Sequence, residues 1–439
     1  SRYIMGIDGI SLPLIALTVF VVPLVIVYSW DHFPEPHNPK AFLILILILE
    51  TGMIGSFVAQ DLLLFFVFFE FVLLPMYFMI GVYGGEQRKY ASLKFFLYTA
   101  FGSALMIVAI LATYFLSPEI SIDGEMRHTF SMIALSEWGG AGLAKSTVIL
   151  IFGGMFMGFG IKVPMFPFHT WLPDAHTQAP TQGSVILAAV LLKLGTYGFV
   201  RIAIPILPEG AKWWAPIIGG LAVIGIIYGA LGCLAQTDMK RLIAFSSVAH
   251  MGYVMLGIAT LTPFGINAAI FGMVAHGLIT GMLFFIAGSV KDRFHTLEIK
   301  RLGGLLLQAP HMGWLLGFSA MASLGLPGLA GFWGEFPAIL SAYNPADGLS
   351  EELFRFYMVV AAIGTVLAAG YLLWLLQRVA FGTPTEEFEH EHIHDMHLTD
   401  YLAWAPMILF IVVLGVYPNL IFRVTDAAVI HSLAGLGGN

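Results

Sequence analysis

Long apolar stretches, separated by short polar connections, recur along almost the whole chain. A hydrocarbon core of about 30 Å requires roughly 20 apolar residues per helix. By this measure the pattern predicts twelve transmembrane spans, at 10–30, 41–59, 61–83, 92–116, 146–170, 183–206, 215–235, 242–260, 265–290, 313–342, 355–380 and 403–422. Only the connections 117–145 and 384–401 are long, and no segment is typical of a separate soluble domain. The pattern therefore predicts an all-α polytopic membrane protein.

Composition supports this class and excludes several others. The 439 residues are 58% hydrophobic and 11% charged, whereas globular proteins are about 25% charged. The single cysteine, Cys233, allows neither an intrachain disulfide nor a cysteine-bound iron–sulfur cluster. The sequence also lacks a glycine-rich nucleotide loop in a strand-to-helix setting. We expect no cofactor in this chain.

The basic residues predict the orientation of the spans. Cytoplasmic loops of membrane proteins carry an excess of lysine and arginine. Loops on one face hold eleven basic residues, namely Lys40, Arg88, Lys89, Lys94, Lys240, Arg241, Lys291, Arg293, Lys300, Arg301 and Arg378. The other face holds seven, namely Arg2, Arg127, Lys145, Arg201, Lys212, Arg355 and Arg423. The richer face is expected to be cytoplasmic, and two of the twenty basic residues, Lys162 and Lys193, remain inside spans.

Six ionisable residues are predicted to lie at membrane depth, and they are the candidate functional residues. They are Glu70, Lys162, Lys193, His250, His276 and Glu335. A charged group at this depth costs at least about 2.5–3.5 kcal/mol, so such groups usually face cavities, form pairs or carry protons. Desolvation favours the neutral form of a lysine, a nearby carboxylate favours its charged form, and histidine titrates near neutrality. Glutamate, lysine and histidine in series can therefore move protons, although a Glu–Lys pair can also simply join two helices and a histidine can simply bond across them.

Two predicted spans contain helix breakers. The first reads KVPMFPFHTWLPDAHTQAP, and the second reads LGLPGLAGFWGEFP. Irregular backbone at membrane depth requires surrounding protein or a water-filled cavity, and paired breaks are typical of transporters with inverted repeats. The alternative is an ordinary proline kink. We expect an N-terminal helix at 1–40, five-helix units at 41–206 and 207–382 in inverted relation, and a loop with a final helix at 383–439.

The connection EEFEHEHIHDMH, at 386–397, is rich in histidine and acidic residues. Such tracts can bind metal. Because no fixed ligand spacing is evident, we expect a flexible solvated loop instead.

Three motifs resemble one protein family. FPFHTWLPDAHTQAPTQGSV, AQTDMKRLIAFSSVAHMGYVMLGI and FFEFVLLPMYF are similar to segments of the antiporter-like subunits of respiratory complex I. The last two favour the M type of bacterial NADH-quinone oxidoreductase, the counterpart of mitochondrial subunit 4. The resemblance covers nearly the whole chain. Because the family has fourteen helices, it also implies that an N-terminal pair is missing from the sequence.

The resemblance implies roles for the six residues. Glu70 and Lys162 match a glutamate and a lysine that are expected to pair, and Lys193 matches a bridging lysine. His250 and His276 match central histidines, and Glu335 matches the acid at the exit. The implied function is proton translocation in the bacterial inner membrane beside L-type and N-type subunits, with FMN, iron–sulfur clusters and quinone in partner subunits. The alternatives are a subunit of a multi-subunit Na⁺/H⁺ antiporter, a membrane-bound hydrogenase arm and a structural scaffold.

Overall fold

The computed structural model describes residues 3–122 and 125–437. In the first half of this part the α-helices are α1 (Ser11–Ser29), α2 (Pro39–Val58), α3 (Leu62–Phe71), α4 (Leu73–Tyr83), α5 (Arg88–Leu116), α6 (Met132–Trp138), α7 (Lys145–Lys162), α8 (Trp171–Gln178), α9 (Thr181–Ile186), α10 (Leu192–Gly198) and α11 (Ile204–Ile206). In the second half they are α12 (Pro208–Leu234), α13 (Met239–Ala259), α14 (Pro263–Phe294), α15 (Leu305–Gln308), α16 (Pro310–Ser323), α17 (Ala330–Ser341), α18 (Glu351–Val379), α19 (Leu398–Val416) and α20 (Asn419–Ser432). A short hairpin, β1 (Ile120–Ile122) and β2 (Glu125–Arg127), lies in the long connection before α6.

Within the described residues, eleven helices or helical segments are long and apolar enough to cross a membrane. They agree with eleven of the predicted spans, counting α3 with α4 as one segment and α9 to α11 as another. The predicted span 313–342 is instead two half-helices, α16 and α17, of 14 and 12 residues. The all-α polytopic architecture is confirmed, while the inverted relation of the two units stays a prediction.

Three segments form the centre of the bundle. The segment Thr181–Ile206 and helices α13 and α14 are 94–100% buried across their apolar windows, whereas the other segments are 39–56% buried. A helix that is buried on every side can carry polar groups that face other helices rather than lipid. The outer helices shield these three segments from the membrane, and the buried Lys193, His250 and His276 lie on them.

Both predicted helix breaks are present. Helix α7 ends at Lys162, and the chain turns through 163–170 before α8 begins at Trp171. Helices α16 and α17 are separated by 324–329, where Gly325 and Gly328 adopt positive φ angles of 79° and 93°. Such φ values favour glycine, because a side chain at these positions would strain the backbone.

A third break follows Glu70 and was not predicted. Helix α3 ends at Phe71 and α4 begins at Leu73. Pro75 lacks the N–H that would bond to the carbonyl of Phe71, and its ring crowds that carbonyl. The interruption therefore lies directly beside the half-buried Glu70 carboxylate. At the start of α3, Asp61 accepts hydrogen bonds from the backbone N–H groups of Leu63 and Leu64, at 3.0 and 3.1 Å, as a residue at the end of a span should.

The histidine-rich connection is more closely packed than we expected. Phe388 and Ile393 are buried, and the backbone N–H groups of His311 and Met312 donate to Asp395 at 2.8 and 3.0 Å. Arg301 also pairs with Glu387. Most side chains of 386–397 are exposed, so the expected solvated loop is confirmed in that respect, while the buried Phe388 and Ile393 anchor it to the bundle. Its flexibility stays a prediction.

Candidate functional site

Lys193 lies at the centre of the bundle, on α10 between two π-helical segments, Leu187–Leu191 and Phe199–Ala203. Its ammonium group donates to the carbonyl oxygen of Ala188 and lies 2.7 Å from Nδ1 of His276 on α14. The side chain is fully buried. π-Helical turns are rare and frequently mark functional positions. Here the wide turn leaves the Ala188 carbonyl free to accept the lysine.

A small cavity joins His276 to His250. The two ring centroids are 5.9 Å apart. The cavity has a volume of about 20 Å³, and its polar lining includes both histidines, Thr280, Ser323 and Glu335. This volume is enough for about one water molecule with several polar partners. A single water is therefore sufficient to connect the two imidazoles.

His250 is held by three side chains from three helices. Its Nδ1 hydrogen-bonds with Glu335 in the middle of α17. Its Nε2 lies 3.0 Å from the hydroxyl of Ser323 and 3.2 Å from that of Tyr371. Ser323 ends α16, so the break between α16 and α17 brings Ser323 and Glu335 to opposite sides of one imidazole. The broken helix thus builds the second half of the site.

The structure does not join Glu70 to Lys162 as the resemblance implied. The Glu70 carboxylate accepts a hydrogen bond from Ser103 on α5. The Lys162 ammonium lies 4.7 Å from the ring centroid of Phe69 and reaches no hydrogen-bond partner among the described residues. The two charges lie close enough to interact electrostatically. The expectation of a direct pair is wrong for this conformation, because each group has an alternative neighbour.

The six predicted residues therefore fall into two groups. Lys193, His276, His250 and Glu335 form one continuous series through contacts and the small cavity. Glu70 and Lys162 lie beside it, since α7 packs against α10. Glu70 and Lys162 lie at or next to the ends of α3 and α7, Glu335 lies within the half-helix α17, and the other three lie on the three central segments.

The sequence reasoning missed further buried groups, among them Lys240 and His176. Lys240 was counted among loop residues, but its side chain is only 3% exposed and its ammonium donates to the carbonyl oxygen of Ala179. His176 on α8 is fully buried, and neither ring nitrogen has a hydrogen-bond partner among the described residues. Both residues lie within the motifs quoted above, but the sequence of those motifs does not show whether a side chain is buried or lies in a loop.

A polar cavity of about 550 Å³ opens on the face richer in basic residues. It is lined by charged side chains, including Asp31, Glu35, Arg88, Lys240, Lys291 and Asp292. His32, at its rim, lies 2.8 Å from Asp292 and 3.2 Å from Asp400. Partial burial alone would lower the pKa of His32, but the interactions with the carboxylates of Asp292 and Asp400 outweigh it and raise the pKa to about 9.

Among the described residues, no group of three histidine, cysteine or acidic side chains is arranged to hold a metal ion. In the histidine-rich connection, the rings of His392, His394 and His397 pack beside one another, and Asp395 pairs with His311.

Comparison with known proteins identifies the family to which the chain belongs. Residues 59–370 match the family model described as NADH:quinone oxidoreductase/Mrp antiporter, TM, and residues 1–56 match NADH-ubiquinone oxidoreductase chain 4, amino terminus. The NADH-quinone oxidoreductase subunit M of Rhodobacter capsulatus is 43% identical over 430 residues, which are 98% of this chain and 82% of that protein. The chain belongs to the NADH-quinone oxidoreductase subunit M family. A second subunit M relative, from Rickettsia typhi, is 41% identical over 97% of this chain and 82% of its own length.

Solved structures agree with the subunit M family. A chain of respiratory complex I from Thermus thermophilus with bound NADH has a TM-score of 0.85 and 32% identity, covering 99% of this chain and 86% of its own. A chain of the Mrp complex from Dietzia sp. has a TM-score of 0.81 and 19% identity, covering 98% and 86%, and shows only that the fold is shared. With its eleven candidate spans and its bacterial relatives, this member of the subunit M family is a multi-pass protein of the inner membrane.

Proposed function

We propose that this chain carries protons across the membrane as a membrane-arm subunit of NADH-quinone oxidoreductase, through its buried glutamate, lysine and histidine residues. The observation that carries the proposal is the series from Lys193 through His276 and His250 to Glu335. Every link in this series joins a group that can release a proton to one that can accept it. A scaffold would not need four linked titratable groups at such cost in the membrane.

Proton transfer starts at Lys193. Its charged ammonium donates to Nδ1 of His276 at 2.7 Å, so a small shift in their relative basicity transfers the proton. The water-sized cavity passes it to His250, whose Nδ1 faces the Glu335 carboxylate. Glu335 then releases the proton towards the opposite face. Ser323 and Tyr371 hold the His250 ring in the orientation that this exchange requires.

Glu70 and Lys162 control the series electrostatically. When the Glu70 carboxylate approaches Lys162, it stabilises the lysine in its charged form. When Glu70 bonds to Ser103, that stabilisation weakens and Lys162 gives up its proton more readily. A charge or conformational signal from a neighbouring subunit can therefore alter proton affinity beside Lys193 without any redox step in this chain.

Electron transfer takes place in other subunits. NADH oxidation, quinone reduction, FMN and the iron–sulfur clusters are assigned to partner subunits. This chain has a single cysteine, which is buried, whereas its carboxylate, lysine and histidine groups are suited to proton transfer. We assign L-type and N-type antiporter-like subunits as its membrane neighbours. We further propose that units 41–206 and 207–382 are inverted repeats, each with one broken helix, so that each unit contributes a half-channel.

The first test is the proton yield of the assembled enzyme carrying Glu70→Ala. Fewer protons per NADH, or a large loss of coupled turnover, is expected because Lys162 loses the carboxylate that modulates its charge. A normal proton-to-electron ratio would remove Glu70 from the mechanism.

The second test separates the rival assemblies. Purification of the tagged chain should bring down NADH dehydrogenase subunits. Recovery only with subunits of a multi-subunit Na⁺/H⁺ antiporter, or with hydrogenase subunits, would contradict the assignment to NADH-quinone oxidoreductase. The subunit M relatives are 40–43% identical to this chain, whereas the Mrp chain is 19% identical, which favours the first outcome.

A further inference from the structure

The half-helix α16 begins without a capping side chain of its own. The first N–H groups of a helix lack partners within the helix, and a polar side chain at the preceding residue usually accepts from one of them. In α16 the preceding residue is Ala309, which has no such side chain. Asp395, 84 residues after His311, takes its place. Its carboxylate accepts from the backbone N–H groups of His311 and Met312, at 2.8 and 3.0 Å.

The same stretch of the histidine-rich connection also holds the end of α14. Arg293, in the last turn of α14, donates from Nε to the carbonyl oxygen of His394 at 2.6 Å. The Arg293 side chain is only 6% exposed and pairs with Asp400 at 2.8 Å. Since His394 and Asp395 are adjacent, α14 and α16 are bonded to neighbouring residues of one connection. The connection therefore fixes the position of α16 relative to α14.

Helices α14 and α16 both contribute to the walls of the small cavity beside His250. His276 and Thr280 of α14 line it, as does Ser323 of α16. Its volume of about 20 Å³ lies only slightly above the roughly 10–15 Å³ that one water molecule needs. A shift of α16 by a fraction of an ångström therefore changes both the room for water and the 3.0 Å contact of Ser323 with His250.

The break after α16 makes the position of this helix depend on its first turn. Helix α16 ends at Ser323 inside the bundle, and the chain then turns through 324–329 instead of continuing as a helix into α17. Apolar packing is not directional, whereas the two hydrogen bonds to Asp395 fix the helix along its axis. An uninterrupted helix joins Met312 to Ser323, so an axial shift at one end moves the other.

We propose that Asp395 is a positioning residue for the proton series, which holds α16, and with it Ser323, at hydrogen-bonding distance from His250. The inference rests on the proposed function and extends it to the membrane surface on the face richer in basic residues. Asp395 acts through α16 and exchanges no proton itself. With Ser323 in place, Nε2 of His250 stays bonded and Nδ1 faces Glu335.

The test compares variants by coupled NADH:quinone turnover per assembled enzyme. Ser323→Ala is expected to lose roughly fivefold, the factor that corresponds to one net hydrogen bond. Asp395→Ala should lose about the same factor, because it moves Ser323 out of reach of His250. Glu389→Ala, which removes an exposed carboxylate from the same connection, is the matched control and should retain turnover. Normal turnover in Asp395→Ala, or an equal loss in Glu389→Ala, would overturn the proposal.

A double variant separates positioning from a general loss of stability. If Asp395 acts through Ser323, Asp395→Ala combined with Ser323→Ala should lose roughly the same fivefold as either change alone, whereas independent effects would multiply to roughly 25-fold. Asp395→Asn keeps one acceptor oxygen for the first turn of α16, so it should recover part of the rate. Multiplied losses, or an Asp395→Asn enzyme no faster than Asp395→Ala, would overturn the positioning role.

Lys193→Met provides the reference for the main function. If it pumps normally, the proposed function itself fails. A loss in Lys193→Met with none in Asp395→Ala rejects only the positioning role of Asp395.

Discussion

Lys193 Nζ and His276 Nδ1 lie 2.7 Å apart at the centre of the bundle, although 83 residues separate them in the chain. A charged lysine can only donate, so Nδ1 accepts while Lys193 holds its proton. Once the proton has moved, the roles are reversed and the same contact persists. This contact can therefore exchange a proton without breaking.

Replacing His276 with phenylalanine should stop this exchange. Lys193 would retain only the Ala188 carbonyl, which cannot take up its proton. We expect coupled turnover to fall by roughly tenfold or more, while NADH oxidation by ferricyanide, which bypasses the membrane arm, stays normal. Unchanged coupled turnover would show that the path does not use His276.

Replacing Glu335 with glutamine should block proton release while preserving the shape of the side chain. The amide can still hydrogen-bond with His250 but cannot take up its proton. Proton pumping in vesicles should fall at least several-fold. Glu387→Gln is the matched control, because the Arg301–Glu387 pair is about half exposed and exposed ion pairs contribute little. An equal effect of the two substitutions would contradict the role of Glu335.

Ser103 should hold Glu70 away from Lys162. In Ser103→Ala the carboxylate loses its donor, at a cost of about 1 kcal/mol, and is expected to move towards the lysine. The resulting tighter pair should retain the Lys162 proton and slow coupled turnover, whereas Ser103→Thr should restore the rate because it returns the hydroxyl. If the alanine and threonine variants turn over equally, Ser103 does not position Glu70.

His32 should make the stability of the protein depend on pH. Its pKa rises from 6.5 in the unfolded chain to about 9 in the folded one. The stabilisation is therefore fully present below about pH 6.5 and is lost as the pH rises through about 9. Thermal unfolding of the purified complex should show His32→Gln less stable than wild type at pH 6, with the difference shrinking towards pH 9.5. A pH-independent difference would contradict the charge on His32.

The close approach of α14 and α17 should make Gly334 intolerant of a side chain. A Cβ at Gly334 would lie 2.5 Å from the Cα of Gly272, next to Glu335. Gly334→Ala should destabilise the protein by about 1–3 kcal/mol and slow turnover by displacing Glu335. Gly370→Ala is the control, since a Cβ there meets nothing within 4 Å and alanine favours a helix. Equal melting temperatures for the two variants would argue against the close packing.

The sequence was sufficient for the membrane architecture because each span follows from local apolar length. It was also sufficient for the buried lysines, since Lys162 and Lys193 interrupt otherwise apolar stretches, and for two of the three helix breaks, since proline and glycine cluster there. Each of these features depends on a short segment of the chain, so the residues of that segment are enough to predict it.

Other features depend on packing between distant segments and could not be predicted. Ser103 and Glu70 come from different helices, and Lys240 on α13 bonds to Ala179 in the linker between α8 and α9. Lys240 resembled a loop residue because it begins a helix in a basic motif, yet the packing of α8 and α13 buries it. The open Glu70–Lys162 arrangement likewise follows from which neighbours, Ser103 and Phe69, the fold supplies.

The most direct test of proton transport by this chain is the number of protons pumped per NADH when Lys162→Met and Lys193→Met are combined in the assembled enzyme. The methionines fill similar volume, so assembly and ferricyanide-linked NADH oxidation should be preserved. We expect pumping per NADH to fall, or coupled turnover to collapse, because the buried series has lost its proton-carrying lysines. A fully assembled enzyme with the wild-type ratio and rate would contradict the account and favour a structural role for the chain.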